Sequence, residues 1–556
     1  MTHVGRVLEC KFDPKEKPIS NAIDLFALFV SYDDVDLLSK YSMSDMSPNT
    51  IQQYFTKHLN WPVMGLVVNG RGKHSQFEAA ALKNLRDHMW SYCKQLKLLT
   101  LDQAVRSCDA STSAGGCWTF YGIQSKGPLV THGAYSMHFR EYLSMLEQYI
   151  DEGRNKVCPL MFPYTVSRKD EIREIESKYE DGVEVKKLKD TRPFQAQDIV
   201  VHVFEKMFAF DFEQRIHKYA TLLRNGFNNG YSTDYGGWHF MGVALSGFKH
   251  VYSFDASKKD MNTDKQRLTD FIMFIRRYHK QSSFVDNLTL FLRQNCVDRL
   301  IRIGSQVFHW DFTNASGRFL TSSQNTFDCV VAIESYVITV YGESALFDEQ
   351  KYRFFVNGDN FIFATNQESY SAQHMVDWFR DFAFPIKIVS TREKLEYNSH
   401  YFGLWDEVTP PVFVPVPVDD EKRIAKVRIT RDPAKISNPV LKYYELSGAL
   451  KAGFWAPRVR EHLNELLDEM ETMFPFLTTS RQTAAVRKSD QELAEMALPR
   501  KGARRIANGV ALNYIPRLND ALQAYHGEES NKNREEDDQA FQECAGSKAV
   551  ALSSSA

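Results

Sequence analysis

Two aspartates, Asp255 and Asp359, each close a β-like run. HVYSFD ends at Asp255, and YRFFV-NGDN-FIFAT carries Asp359 in its turn. Carboxylates on neighbouring strands suit a pair of divalent ions during phosphoryl transfer. Asp260 follows where strand would give way to helix, and between the aspartates SGRFLTSSQNT at 316–326 opens a helix-like segment bearing Thr321 and Asn325. Each stretch alone has a plainer reading. An Asp-x4-Asp spacing is common at solvated helix starts. Asn-Gly-Asp-Asn is a good hairpin turn, because Asn and Gly tolerate positive φ. Their order along one chain is what singles them out.

The elements that must position these residues are legible nearby. Residues 77–99 carry apolar side chains at three- and four-residue spacing and predict a long helix. Residues 241–255 run into the strand ending at Asp255, and 268–279 predict a helix packed beneath it. Residues 320–341 predict another helix, and 352–365 a strand–turn–strand hairpin. Strand, helix, helix and hairpin in that order make an α+β unit, a small sheet backed by helices. PPVFVPVPVDD at 410–420 reads as a proline-rich connector, followed by mostly helical sequence, clearest at 460–474. Residues 526–556, polar and then small, read as a mobile tail.

Composition excludes more than it selects. A 43% hydrophobic and 25% charged chain of 556 residues has ample material for a core and several subdomains. A net charge of −2 neither supports nor refutes nucleic-acid binding, because a basic channel can be offset by acidic outer surfaces. Eight cysteines without a CxxC pair fit reduced thiols rather than a disulfide scaffold or zinc knuckle. No apolar run is long enough to span a membrane, and the N-terminal stretch lacks a signal-peptide core. The chain is therefore expected not to be secreted.

With these residues in view, the chain resembles an RNA-dependent RNA polymerase of the picornavirus-like kind, as in picornaviruses, caliciviruses, astroviruses and potyviruses. The three stretches match that family's motifs A, B and C. The motif B pattern Ser-Gly-x3-Thr-x3-Asn-Thr is met by Ser316, Gly317, Thr321, Asn325 and Thr326. The resemblance implies a right-handed fold of fingers, palm and mostly helical thumb. It divides the chain into fingers at 1–212, palm at 213–290, a fingers insertion at 291–313, palm again at 314–410, thumb at 411–525 and the tail at 526–556. Asp255 and Asp359 would hold two Mg²⁺ or Mn²⁺ ions. Motif C departs from the commoner Gly-Asp-Asp, since Asn360 offers an amide oxygen in place of a carboxylate. Less negative charge predicts a weaker hold on Mg²⁺ and a shift towards Mn²⁺.

The remaining roles follow from the same resemblance. Asp260 and Asn325 would contact the incoming ribose, with Ser316 in the network, Thr321 beside it and Gly317 giving the loop its freedom. Asn325 can donate to and accept from the 2′-hydroxyl that distinguishes RNA from DNA. Lys169, Arg173, Lys189 and Arg192 match the basic motif F strand over the triphosphate, Arg192 best. Thr112, Ser113, Ala114 and Gly115 match the small-residue loop where template enters, small so that a nucleic-acid backbone can come close. Lys394, with Lys387 as the fallback, aligns with the motif D lysine, a general acid for the leaving pyrophosphate. Phe402, Gly403 and Leu404 would sit in the hairpin that grips the primer. PRKGARR at 499–505 reads as an exposed basic patch, and the glycines Gly70 and Gly72 are too closely set for a phosphate loop.

The implied activity is template-directed RNA synthesis from ribonucleoside triphosphates, replicating and transcribing a viral RNA genome. The implied setting is the host cytoplasm, in a replication complex or within a particle. RNA template and product, ribonucleoside triphosphates and other viral replication or capsid proteins are the implied partners. A reverse transcriptase shares the two aspartates but lacks the full motif B pattern and Asp260. A catalytically silent palm protein, serving as replication scaffold or RNA-binding module, finds support only in Asn360.

Overall fold

Five runs rich in valine, isoleucine and phenylalanine pair into one sheet, ordered Ile386–Thr391, His250–Ala256, Asn360–Thr365, Tyr352–Asn357 and Gly226–Phe227. Gly226–Phe227 runs parallel to its neighbour, and the other pairs are antiparallel. The computed structural model describes residues 2–6, 22–23, 40–44 and 63–498, less 117, 170, 181–182, 190, 304–305, 311–312, 349, 410 and 431–437. Residues 499–525, including all of PRKGARR, the expected tail at 526–556 and Cys10, Cys117 and Cys544 lie outside the described residues.

Helices cover one face of this sheet. Every residue of the helix Thr321–Tyr341 from Ser323 to Ile338 is buried, so it runs through the core rather than across its surface. It packs against the long helix Val63–Cys93, where Asn84 Nδ2 donates to Glu334 Oε1 at 3.1 Å. That helix begins before the expected residue 77 and stops at Cys93, because Gln95 takes a φ of +57° and Leu96 N–H turns to the Tyr278 carbonyl. Gly70 and Gly72 lie within it, not in a loop. The helices Ile199–Ala220 and Lys265–Arg276 complete this layer, with Phe254, Phe361 and Phe363 facing them from the sheet. Asp264 caps the second, its side chain accepting from Arg267 N.

A second five-stranded sheet collects distant segments in the order Thr2–Arg6, Gln306–Trp310, Arg299–Ile303, Tyr164–Arg168 and Pro193–Ala196. The expected fingers insertion thus joins the strands around the basic stretch. From this sheet the hairpin of Ile172–Glu180 and Val183–Leu188 extends, with Tyr41–Met43 paired beside it.

A third sheet corrects the expected connector. Val412–Pro417 is a strand, paired along its whole length with His400–Trp405, which in turn pairs with Glu396–Tyr397. Prolines are tolerated because this is an edge strand, and Val412, Phe413, Val414 and Val416 are buried. The helices Asp420–Arg428, Pro439–Gly453 and Pro457–Met473 follow and have a core of their own. Tyr41 and Met43 belong to that core. Ala22–Ile23 pairs with Ile429–Thr430, and Lys422 meets Glu174 of the fingers hairpin at 2.7 Å. N-terminal segments and the hairpin therefore tie the second sheet to the C-terminal helices.

Cys93, Cys108, Cys158, Cys296 and Cys329 are free thiols among the described residues. Among the described residues, no helix is long and apolar enough to cross a membrane.

Candidate active site

The hairpin turn is built for a glycine, since Gly358 takes a φ of +67°. Its N–H donates to Thr326 Oγ1 at 2.8 Å, so the buried central helix grips the turn from behind. Asn360 stands opposite Asp255 in the strand register, and Ala256 N–H donates to the Asp359 carbonyl at 2.8 Å. The two aspartates are thereby brought to one end of adjacent strands. Burial, and then the neighbouring Asp255, push the Asp359 carboxyl above its ordinary range. Asn360 Nδ2 donates to Asp359 Oδ1 at 3.2 Å. In this arrangement the amide orients the carboxylate.

Lys387 is the cation at the carboxylates. It stands across from Asp255 on the edge strand and its ammonium lies 3.1 Å from Asp255 Oδ2. Lys394 sits in a short turn further on, its ammonium 4.4 Å from the centre of the Tyr401 ring.

Behind the carboxylates, Asn325 Nδ2 donates to Asp260 Oδ1 at 2.8 Å. Burial raises the Asp260 carboxyl, against the opposing pull of that hydrogen bond and of Lys259, Arg299 and Arg192. Lys259 itself is buried, donating to Asp328 Oδ2 at 2.6 Å and to Thr263 Oγ1 at 2.8 Å. A residue that sequence reasoning missed, Asn314, donates to Asn325 Oδ1 and to the Thr321 carbonyl, both at 3.0 Å. Thr321 opens the helix and folds its hydroxyl back onto the Ala315 and Arg318 carbonyls. Ser316 Oγ accepts from Gln195 N at 3.3 Å.

Gly317 is required for closeness, not for freedom. Its φ is not positive, but a Cβ there would lie 2.4 Å from the Gln195 carbonyl oxygen and 2.6 Å from the Phe194 ring. In the loop of Thr112, Ser113, Ala114 and Gly115 the glycine is needed on both counts, since Gly115 takes a φ of +65° and is closely packed. Ala114 is buried, its carbonyl accepting from Ile199 N, and a Cβ on Gly115 would lie 2.2 Å from the Gln197 oxygen. These two small residues make room for the protein's own backbone, which leaves Thr112 and Ser113 as the exposed members.

The basic wall rises on the fingers. Lys169, Arg173 and Arg192 converge on one carboxylate, Glu171. Arg192 forms a two-pronged pair with it at 2.7 and 2.5 Å, and Lys169 and Arg173 each approach at 3.3 Å. Despite part burial, Arg192 and Lys169 hold the Glu171 carboxyl below its ordinary range. The Arg192 guanidinium is raised by Glu171 first, and the charges of Asp359 and Asp260 also act on it. Lys189 is turned elsewhere, towards Glu174 and Glu176. The hydrogen bond from Lys189, and then that from Lys422, hold the Glu174 carboxyl down at about 2. An acid inside a run of cations was the sequence signal for Glu171. For Asn314, two residues ahead of Ser316, there was none.

Phe402, Gly403 and Leu404 lie in the expected hairpin, on the strand His400–Trp405. Phe402 and Leu404 are buried, and Phe402 stacks on Trp238 at 4.4 Å. A Cβ on Gly403 would lie 2.5 Å from Val416. Their side chains build the interior of the hairpin. Tyr401 and His400 are the partly open positions.

No curated protein matches the sequence closely enough to count as a relative. The viral RNA-dependent RNA polymerase family matches over residues 28–400, a span that holds both aspartates, the central helix and the basic wall. With the α+β palm, fingers and thumb described above, the chain belongs to that family and is an RNA-directed RNA polymerase.

Proposed function

We propose that this polymerase copies an RNA template by two-metal nucleotidyl transfer, with Asp255 and Asp359 as the metal ligands, and so replicates and transcribes a viral RNA genome. The observation that carries the reading is the placement of the two aspartates on adjacent strands with the Asp260–Asn325 pair beside them. The donor set fits a hard divalent cation, being all oxygen. Two further features support the fit. Asp359 is raised partly by Asp255, a repulsion that a cation would relieve, and the ammonium of Lys387 already stands on Asp255. When bound, two such ions would activate the 3′-oxygen and neutralise the charge that develops on the phosphates.

The chain's own residues supply the rest. Thr326 and the Gly358 turn hold Asp359 in register. Asn360 steadies the Asp359 carboxylate, and exchange for Asp would shift the metal optimum from Mn²⁺ towards Mg²⁺. Asp260 and Asn325 read the ribose. Arg192, helped by Lys169 and Arg173, takes the triphosphate, and Lys189 is held too firmly by Glu174 to be first in line. Lys387, against the carboxylates, is better placed than Lys394 to give a proton to departing pyrophosphate. Thr112 and Ser113 face the template. Tyr401, partly open on the same hairpin as Phe402, faces the primer strand.

The test is primer extension on an RNA template with ribo- or deoxyribonucleotides and either metal. Extension with ribonucleotides alone is expected. Preference for deoxyribonucleotides would favour a reverse transcriptase, and a folded protein that extends nothing would favour a silent palm.

A further inference from the structure

We infer that Asn314 sets the polarity with which the site reads the sugar: it locks the Asn325 amide so that Asn325 acts only as a hydrogen-bond donor. The inference rests on the proposed sugar-reading role of Asn325 and Asp260, and deepens it.

The chain of hydrogen bonds has one sense. The Thr321 carbonyl can only accept, so the Asn314 atom 3.0 Å from it must be the amide nitrogen. The second hydrogen of that NH₂ group points to Asn325, whose facing atom must therefore be Oδ1, also at 3.0 Å. Asn325 Nδ2 is then committed to the Asp260 side, where it meets Oδ1 at 2.8 Å. Flipping either amide would set oxygen against oxygen at the Thr321 carbonyl or at Asp260. The backbone carries Asn314 into this place at a cost. Thr313, just before it, has a φ of +65°, a strained conformation for a β-branched residue. Trp310 Nε1 and Arg299 Nη2 both donate to Thr313 Oγ1 at 2.9 Å and hold it there. Asn314 N–H donates to the Asp260 carbonyl at 2.8 Å, which ties the same segment to the motif A turn.

With Asn325 Oδ1 turned to Asn314, the side of the amide that meets Asp260 keeps one hydrogen on Nδ2 for a ligand. Beside it, Asp260 offers a carboxylate oxygen. A 2′-hydroxyl satisfies both, accepting from Asn325 and donating to Asp260. A group that only accepts satisfies one, and a hydrogen satisfies neither. Without Asn314 the Asn325 amide could turn, and the site would lose its fixed sense.

The experiment measures kcat/KM on the full chain for nucleotides carrying 2′-hydroxyl, 2′-fluoro and 2′-hydrogen. The proteins are wild type, Asn314→Leu, Asn325→Ala and the double variant. Leucine keeps the branched outline of asparagine without a donor. Wild type should rank hydroxyl over fluoro over hydrogen. Asn314→Leu should lower the hydroxyl-over-hydrogen preference by about tenfold and remove the advantage of fluoro over hydrogen. It should add nothing in the Asn325→Ala background, as expected of a positioning residue that acts through Asn325. If Asn325→Ala lowers the preference and Asn314→Leu does not, the inference is overturned while the sugar reading stands. Equal losses from Asn314→Leu with and without Asn325 would overturn it too. If neither single variant changes the preference, the sugar reading itself fails and takes the inference with it. Should Asn314→Leu not fold, Asn314→Ala carries the same expectations.

Discussion

Asp260, Asn325 and Asn314 are hydrogen-bonded in one arrangement on the palm side of the site, whereas Lys169, Arg173 and Arg192 on the fingers side share the single carboxylate of Glu171. Asn314 and Asn325 are buried, while the Arg192 side chain is 59% exposed and that of Lys169 50%. The palm network admits one set of partners, because each amide is oriented by the next. The fingers cluster is exchangeable, because one anion can replace another on a guanidinium at little net cost in a wet setting. The contrast matches the two tasks proposed for these walls. Discrimination between sugars needs fixed donors that leave a wrong ligand unsatisfied. A triphosphate must arrive and pyrophosphate must leave at every cycle, which favours charges already lightly paired and free to swap.

The carboxylates between the walls set the largest expected effect. Asp359→Ala and Asp255→Ala should each lower nucleotide incorporation by at least about 10³-fold without loss of folded protein by circular dichroism. A folded Asp359→Ala protein extending primers at the wild-type rate would remove the centre from which both walls are defined. Arg192→Ala comes next. Loss of one charge-assisted contact, roughly 2 kcal/mol, should lower kcat/KM about thirtyfold for every nucleotide alike, leaving the ribo-over-deoxy ratio in place. A change in that ratio would mean that the two walls are not independent.

Thr326 sharpens the palm side of the comparison. Thr326→Val keeps the shape of the side chain but removes the acceptor for Gly358 N–H, leaving a donor unpaired in a part-buried turn. We expect kcat to fall about tenfold with KM little changed, and Thr326→Ser to restore it, since the cost is one hydrogen bond of ~1–1.5 kcal/mol. An equal loss in the serine variant would point to packing rather than to the hydroxyl.

Much of this architecture can be read in the residues, and the limits have physical causes. Periodicity predicts the central helix, the catalytic hairpin and the Asp255 strand because each has an apolar pattern of its own. The proline-rich strand Val412–Pro417 escapes, because proline's missing N–H matters only on the paired side, and sequence does not say which strands lie at an edge. The motif positions Asp255, Asp260, Asn325 and Asp359 do come together. The resemblance gives Gly317 a role in mobility and Gly115 one in closeness to nucleic acid, yet they are packed against Gln195 and Gln197 of the protein itself. Phe402 and Leu404 lie on a strand that alternation alone could not orient. The second layer, Asn314 and Glu171, depends on which side chains a fold sets face to face, and spacing along the chain does not carry that.

Glu171 gives the smallest effect and the most direct test of exchangeability. Its carboxylate lies among three cations and would have to yield Arg192 when a triphosphate binds. If it is only a place-holder, Glu171→Gln removes a competitor and leaves an amide that can still accept a hydrogen bond from Arg192. The KM for nucleotide should then fall about threefold, the ~0.7 kcal/mol expected of a partly exposed ion pair, with kcat within about twofold. If instead Glu171 holds Arg192 in its working position, KM should rise and kcat should drop towards the Arg192→Ala value. Raising salt from ~0.05 to ~0.5 M in preassembled elongation complexes should shrink the difference between Glu171→Gln and wild type, because screening then acts within about 5 Å. The same salt series should leave the ribo-over-deoxy ratio unmoved, since the ratio rests on short hydrogen bonds to a neutral hydroxyl, which has no net charge to screen. A ratio that followed salt in step with KM would show that the palm side, too, works by exchangeable charge.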